Sequence, residues 1–190
     1  MRIGIFGGTF DPPHNSHLMA CLWALNTGEV DRVLMIPTAR HAFGKEPAAP
    51  FAHRLAMCAA AAQVFAPGRI EISDIEGRRE GTSYMVDTVE QLLGERPGEQ
   101  FRLIVGSDII DSLPKWRAAD RLTDMAPVLE VPRISATDPN QSKYKEFLGA
   151  VPMLSSTEVR QRLAQGGDVR GLIPAPVVEY IRAHGLYSAA

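Results

Sequence analysis

Two kinds of apolar segment alternate along this chain. Residues 3–6, 32–36, 70–75, 102–105 and 128–131 are short apolar or alternating runs, the pattern of strands buried in a sheet. Gly7-Gly8 ends the first run and Pro37 the second. Between them, residues 16–26, 51–65, 83–94 and 118–124 show helical spacing, with stop signals at Gly28 and Pro67-Gly68. A last short strand is expected at 153–154, then helices at 157–164 and 176–184. Strands alternating with helices predict βαβ units, so the expected architecture is α/β. It is a doubly wound parallel sheet with helices on both faces and right-handed crossovers. Ligands in such sheets bind beyond the carboxyl ends of the strands, where strand order reverses.

The length of 190 residues suits a single domain over 1–190, with a C-terminal helical part from about 155. No repeat or low-complexity tract divides it, and 47–50 reads as a loop rather than a linker. Hydrophobic residues make up 45% and charged residues 22%, the balance of a globular domain. Lys+Arg is 20 against Asp+Glu 22, a net charge of -2, which argues against a polyanion-binding surface and so against nucleic acid as partner. Small anions need only a few placed cations and stay open. Cys21 and Cys58 lie far apart, with no CxxC and no zinc spacing, so buried reduced thiols and a cytoplasmic protein are expected. There is no apolar run long enough for a membrane span, and no signal-peptide core. Oligomeric state leaves no mark in the pattern.

Two motifs carry chemistry. The first, Gly7-Gly8-Thr9-Phe10-Asp11-Pro12-Pro13-His14-Asn15-Ser16-His17, follows the first strand and opens the first helix. The glycines are expected to form a tight turn whose backbone N–H groups, with the helix end behind them, make an anion site. His14 and His17, three apart, share one face of the first helical turn and can donate to phosphate. It is neither a GK[ST] phosphate loop nor GxGxxG. The second motif is Leu154-Ser155-Ser156-Thr157-Glu158-Val159-Arg160. Ser155 and Glu158 have capping-box spacing. Ser156, Thr157 and Arg160, one turn on, offer hydroxyls, N–H groups and a guanidinium to another anion.

Together the motifs resemble the (T/H)xGH and ISSTxxR signatures of the nucleotidyltransferase superfamily, whose fold is Rossmann-like. Ser83-Tyr84, Gly106-Ser107-Asp108, Leu113-Pro114-Lys115-Trp116 and the Leu186-Tyr187 ending extend the resemblance over nearly the whole chain, toward the bacterial nicotinate-nucleotide adenylyltransferases. That resemblance implies adenylyl transfer from ATP to nicotinate mononucleotide, in NAD biosynthesis. It implies an ATP-binding set of Gly7, Gly8, Thr9, Phe10, Gly106, Asp108, Ser156 and Thr157. Gly8 and Thr9 would hold phosphate through their backbones, and Gly106 and Asp108 would line the ribose side. His14, His17, Lys45 and Arg160 would stabilise the reacting phosphates. Trp116 would stack on the pyridine, with Tyr84 nearby. Mg2+ would arrive on ATP oxygens, with no protein metal site. The implied partners are ATP and a pyridine mononucleotide.

Three departures bear on this. Ser16 stands where the motif has glycine, which would narrow the space beside adenine or be tolerated. His41-Ala42-Phe43-Gly44-Lys45 replaces a Pro-His-Lys segment, leaving the register of Lys45 open. Residues 134–145 fit no pattern. A related transferase using nicotinamide mononucleotide or phosphopantetheine, and a non-catalytic nucleotide-binding module, stay open as alternatives.

Overall fold

The computed structural model describes residues 1–40, 42, 44, 46–132 and 154–188. In chain order the strands are β1 (Arg2–Gly8), β2 (Arg32–Pro37), β3 (Ile70–Ile72), β4 (Gln100–Gly106) and β5 (Val128–Val131). The helices are α1 (Asn15–Asn26), α2 (Phe51–Ala62), α3 (Met85–Glu95), α4 (Ser107–Ile110), α5 (Ala119–Met125), α6 (Ser156–Ala164) and α7 (Ala175–Ala183). A 3-10 turn, Leu113–Lys115, precedes α5. All strand pairs are parallel, in the order β3-β2-β1-β4-β5. The expected α/β doubly wound sheet is what forms.

Period-two alternation separates the two faces. On β2, Leu34 and Ile36 join a cluster with Val86, Val89 and Leu92 of α3. Val33 and Met35 point the other way, into a cluster with Cys21, Ala24 and Leu25 of α1. β4 divides likewise, Leu103 and Val105 on the first face and Ile104 on the second. A third cluster joins Leu18 of α1 and Met57 of α2 to Val159 of α6 and Val177 of α7. It seats the C-terminal helices beside the first motif. Cys21 and Cys58 are free and buried, and burial raises both thiols well above their ordinary range. No helix among the described residues is long and apolar enough to cross a membrane.

Some boundaries differ from the sequence reading. β3 stops at Ile72, because the Ser73 hydroxyl accepts the Ile75 N–H and turns the chain. α3 begins at Met85 instead of 83, since Ser83 is held to Arg40 by its N–H (2.9 Å) and its hydroxyl (3.3 Å). α4 and the 3-10 turn were not expected. Of the strand expected at 153–154, residue 153 lies outside the described residues and Leu154 is not in a strand.

Candidate active site

The site lies where strand order reverses. β1 pairs with β4 from Arg2↔Gln100 to Ile5↔Leu103, and with β2 as far as Gly8↔Pro37. Beyond Ile5 and Leu103 the two central strands part, and a cleft of about 600 Å³ opens between their ends. Gly7, Gly8, Thr9 and His17 line it on one side, and Gly106, Ile109, Trp116 and Tyr84 on the other.

Gly7 and Gly8 do not form a turn. They are the last residues of β1, and their lack of a side chain permits close approach. A Cβ on Gly7 would come within 2.4 Å of Met85 Cε, and one on Gly8 within 3.0 Å of the Phe10 ring. The turn is made by Phe10, at φ 49°, just before a cis Asp11–Pro12 bond. Phe10 is buried beneath the loop, its ring edge-on to His17 at 4.9 Å.

His14 caps α1. Its backbone N–H donates to His17 Nδ1 at 3.1 Å, and the two imidazoles stack with centroids 3.6 Å apart. A neutral His17 therefore carries its hydrogen on Nε2. His14 itself is buried and does not reach the cleft wall.

The second motif docks on the first. Ser156 donates its hydroxyl to the Pro12 carbonyl at 2.9 Å. Arg160 Nη1 donates to the Asp11 carbonyl at 2.6 Å and lies 3.7 Å from its carboxylate. Arg160 Nη2 reaches the Thr157 hydroxyl at 3.3 Å. Half of the expected capping box forms: Ser155 accepts the Glu158 N–H, while the Glu158 carboxylate pairs with Arg162 instead. Ser156, Thr157 and Arg160 thus adjoin the loop from behind and are not among the residues lining the cleft. Asp108 is exposed on α4 and is not among them either. Lys45 lies outside the described residues, as does all of 134–145.

Ser16 points away from the cleft. Its hydroxyl accepts the Leu154 N–H at 3.2 Å, tying α1 to the chain entering α6.

Sequence reasoning missed four side chains. Asp11 is 3% exposed and accepts from the Ala48 N–H (2.6 Å), the Ala49 N–H (3.1 Å) and the Tyr187 hydroxyl (2.7 Å). It clamps three segments together. Arg54, 1% exposed, donates to the Thr9 carbonyl at 2.8 Å and the Ala49 carbonyl at 3.1 Å. Burial lowers its pKa, and the Asp11 charge opposes that. Two guanidiniums therefore share one carboxylate around the 9–13 loop, which leaves that region net positive. Glu76, on the cleft wall, accepts from the Ala39 N–H and the Thr88 hydroxyl. Burial raises its carboxyl above the usual range, against those donors. Arg117 also lines the cleft, with Cζ 4.6 Å from the Tyr84 ring centroid. Arg54 had a signal: it falls on the same helical face as Met57, Cys58 and Ala61. Glu76 had none.

A parallel sheet with phosphate-sized donors at its reversal point defines a nucleotide-binding α/β protein. The chain belongs to the cytidylyltransferase-like family, which matches residues 5–162, and within it to the nicotinate-nucleotide adenylyltransferases. A protein of Anaeromyxobacter dehalogenans (strain 2CP-1) named "Probable nicotinate-nucleotide adenylyltransferase" is 40% identical, over 98% of this chain and 96% of its own. One of the same name from Bacillus pumilus is 36% identical, over 99% of each. Among solved structures, the nicotinic acid mononucleotide adenylyltransferase of Plasmodium falciparum complexed with NaAD aligns at TM-score 0.77 and 22% identity, over 98% and 97% of the two chains. At that identity the likeness speaks for the fold.

Proposed function

We propose that this protein transfers the adenylyl group of ATP to nicotinate mononucleotide, giving nicotinate adenine dinucleotide and pyrophosphate in NAD biosynthesis. The observation that carries this reading is the cleft's two-ended chemistry. One end offers His17 and the Gly8-Thr9 backbone, with a buried positive loop behind. The other offers the planar walls of Trp116 and Tyr84.

An oxygen of the acceptor phosphate attacks the α-phosphorus of ATP, the bond to the β-phosphate oxygen breaks, and pyrophosphate leaves. The phosphate monoester is largely dianionic near neutrality, its second pKa being about 6, so no strong base is required. The protein's task is to align two mutually repelling anions and stabilise the developing charge. His17 presents Nε2–H to the triphosphate, held in that tautomer by the His14 backbone. His14 supports it by stacking. Gly7, Gly8 and Thr9 hold phosphate through the backbone over Phe10. Ser156, Thr157 and Arg160 at the α6 N-terminus, docked on the same loop, are the second group of donors for the triphosphate. Lys45 adds a further cation on sequence grounds alone. Gly106 and Asp108 take the ribose side, and Trp116 and Tyr84 the pyridine.

Asp11, the acidic group nearest the loop, is committed to protein donors. Mg2+ therefore fits as an ion carried by ATP oxygens and water, where it neutralises phosphate charge. The whole chain acts as one domain, and its two free buried thiols suit the cytoplasm.

The test is pyrophosphate release from ATP and Mg2+ with nicotinate mononucleotide, nicotinamide mononucleotide and phosphopantetheine offered separately. Release dependent on the first is expected. Release with none of them, from folded protein that binds ATP, would overturn the catalytic reading.

A further inference from the structure

We propose that Ser16 is a positioning residue for the triphosphate: its hydroxyl sets the start of α6 in register against the first turn of α1. This rests on the reading of Ser156, Thr157 and Arg160 as phosphate donors. Ser16 Oγ accepts the Leu154 N–H at 3.2 Å, and both ends are buried, Ser16 at 6% exposure and Leu154 at 9%. His17 follows Ser16 directly on α1, and Ser155, the N-cap of α6, follows Leu154. One hydrogen bond therefore joins the neighbour of the cleft histidine to the neighbour of the helix end that carries the second group of donors.

The other ties between the two motifs do a different job. Ser156 and Arg160 donate to the carbonyls of Pro12 and Asp11, which belong to the loop before α1 and not to the helix. Val159 of α6 shares the third apolar cluster with Leu18 of α1. Apolar packing is non-directional, so it holds α6 near α1 without fixing how far it slides or turns. A hydrogen bond has a narrow range of distance and angle, and fixes both. The Leu154 N–H also needs an acceptor, because a buried backbone donor left unpaired is costly. Where the motif has glycine, this chain supplies that acceptor from a side chain. Phosphate donors act through where they stand, and a misplacement of about 1 Å can cost about 10²-fold in rate. Ser16 thus acts on the triphosphate through α6, without touching it.

The experiment compares full-length wild type, S16A, S16G and S16T. Titration calorimetry reads the Kd for ATP with Mg2+, and pyrophosphate release reads the KM for ATP and for nicotinate mononucleotide. S16A and S16G should both weaken ATP by about three- to tenfold, the worth of one neutral hydrogen bond, in Kd and KM alike. The KM for nicotinate mononucleotide should change about twofold or less. S16T keeps the hydroxyl and should hold ATP within about twofold of wild type. Alanine favours a helix more than glycine does, so S16A should melt above S16G while both bind ATP equally poorly. A merely structural role would rank the two ATP affinities as it ranks their melting temperatures. S16A at wild-type affinity, S16G tighter than wild type, or S16T no better than S16A overturns the inference and leaves the proposed function standing. A wild type that binds ATP without adenylating the mononucleotide overturns the proposed function alone, and the Kd series still decides the role of Ser16. A wild type that binds no ATP overturns both.

Discussion

Tyr187→Phe removes one oxygen from the clamp around Asp11. The Tyr187 hydroxyl donates to Asp11 Oδ1 at 2.7 Å, and the same oxygen keeps the Ala49 N–H at 3.1 Å. A hydrogen bond to a charged group contributes about 1.5–3 kcal/mol. The remaining donor and the partial exposure of the ring favour the lower end, about 1.5 kcal/mol. For a chain of this size that lowers Tm by about 3–6 °C. Urea unfolding followed by far-UV circular dichroism should show a lower midpoint with an unchanged m-value. A pH series makes the test sharper. Burial, then the Asp11 carboxylate, raises the Tyr187 pKa far above its ordinary value of 10.0. Above pH 10 the unfolded chain releases this proton while the folded chain keeps it, so stability is present below pH 10 and lost as pH rises. At pH 11 that loss is about 1.4 kcal/mol, from RT ln(1 + 10). Phenylalanine has no proton to lose. The difference between the two proteins should therefore be about 1.5 kcal/mol at pH 8 and nearly vanish at pH 11. A difference that stays constant over this range, or none at pH 8, would refute the assigned bond.

Three further outcomes are expected. His17→Ala should lower kcat by about a hundredfold or more, the usual cost of removing one oriented donor, while Tm moves only a few degrees; steady-state rates and calorimetry on the same sample check it. Trp116→Ala should raise the KM for the pyridine nucleotide by about tenfold or more, one stacked ring's worth, and leave the KM for ATP in place. Arg54→Met strands the Thr9 and Ala49 carbonyls and should cost about 2–4 kcal/mol in urea unfolding. It should also weaken the thermal stabilisation given by ATP, because the cation beneath the loop is gone.

What could be read in advance followed from short-range rules. The unbroken apolar run Val33-Leu34-Met35-Ile36, stopped by Pro37, marked β2 as a strand in a sheet covered on both faces. The spacing of His14 and His17 set their shared face. What could not be read depended on partners distant in sequence. Gly7-Gly8 looked like a turn, yet Met85, nearly eighty residues on, is what requires Gly7 to be bare. Ser83 looked helical until Arg40 claimed its backbone. Ser16 looked like a change inside the pocket, and it is a tether to Leu154. Asp11 carried no mark beyond its place in the first motif, and its acceptors are filled from residues 48, 49 and 187. Arg54 was legible in principle, since a guanidinium on the apolar stripe of an alanine-rich helix has to find buried acceptors.

β1 is the innermost strand of the sheet and also the first to be synthesised. Its partner β2 follows within thirty-odd residues, but β4 ends at Gly106, about a hundred residues after β1 begins. At about 5–20 residues per second a ribosome takes roughly 5–20 s to cover that distance. Through this interval the Arg2–Ile5 edge has parallel-strand donors and acceptors and no mate, flanked by the apolar side chains of Ile3 and Ile5. Open edges of this kind invite foreign strands. A nascent chain thus carries an unpaired edge directly below the Gly7-Gly8 strand end that will later border the cleft. Whatever pairs with that edge first displaces β4, and with β4 goes the far wall that Gly106 and Ile109 supply.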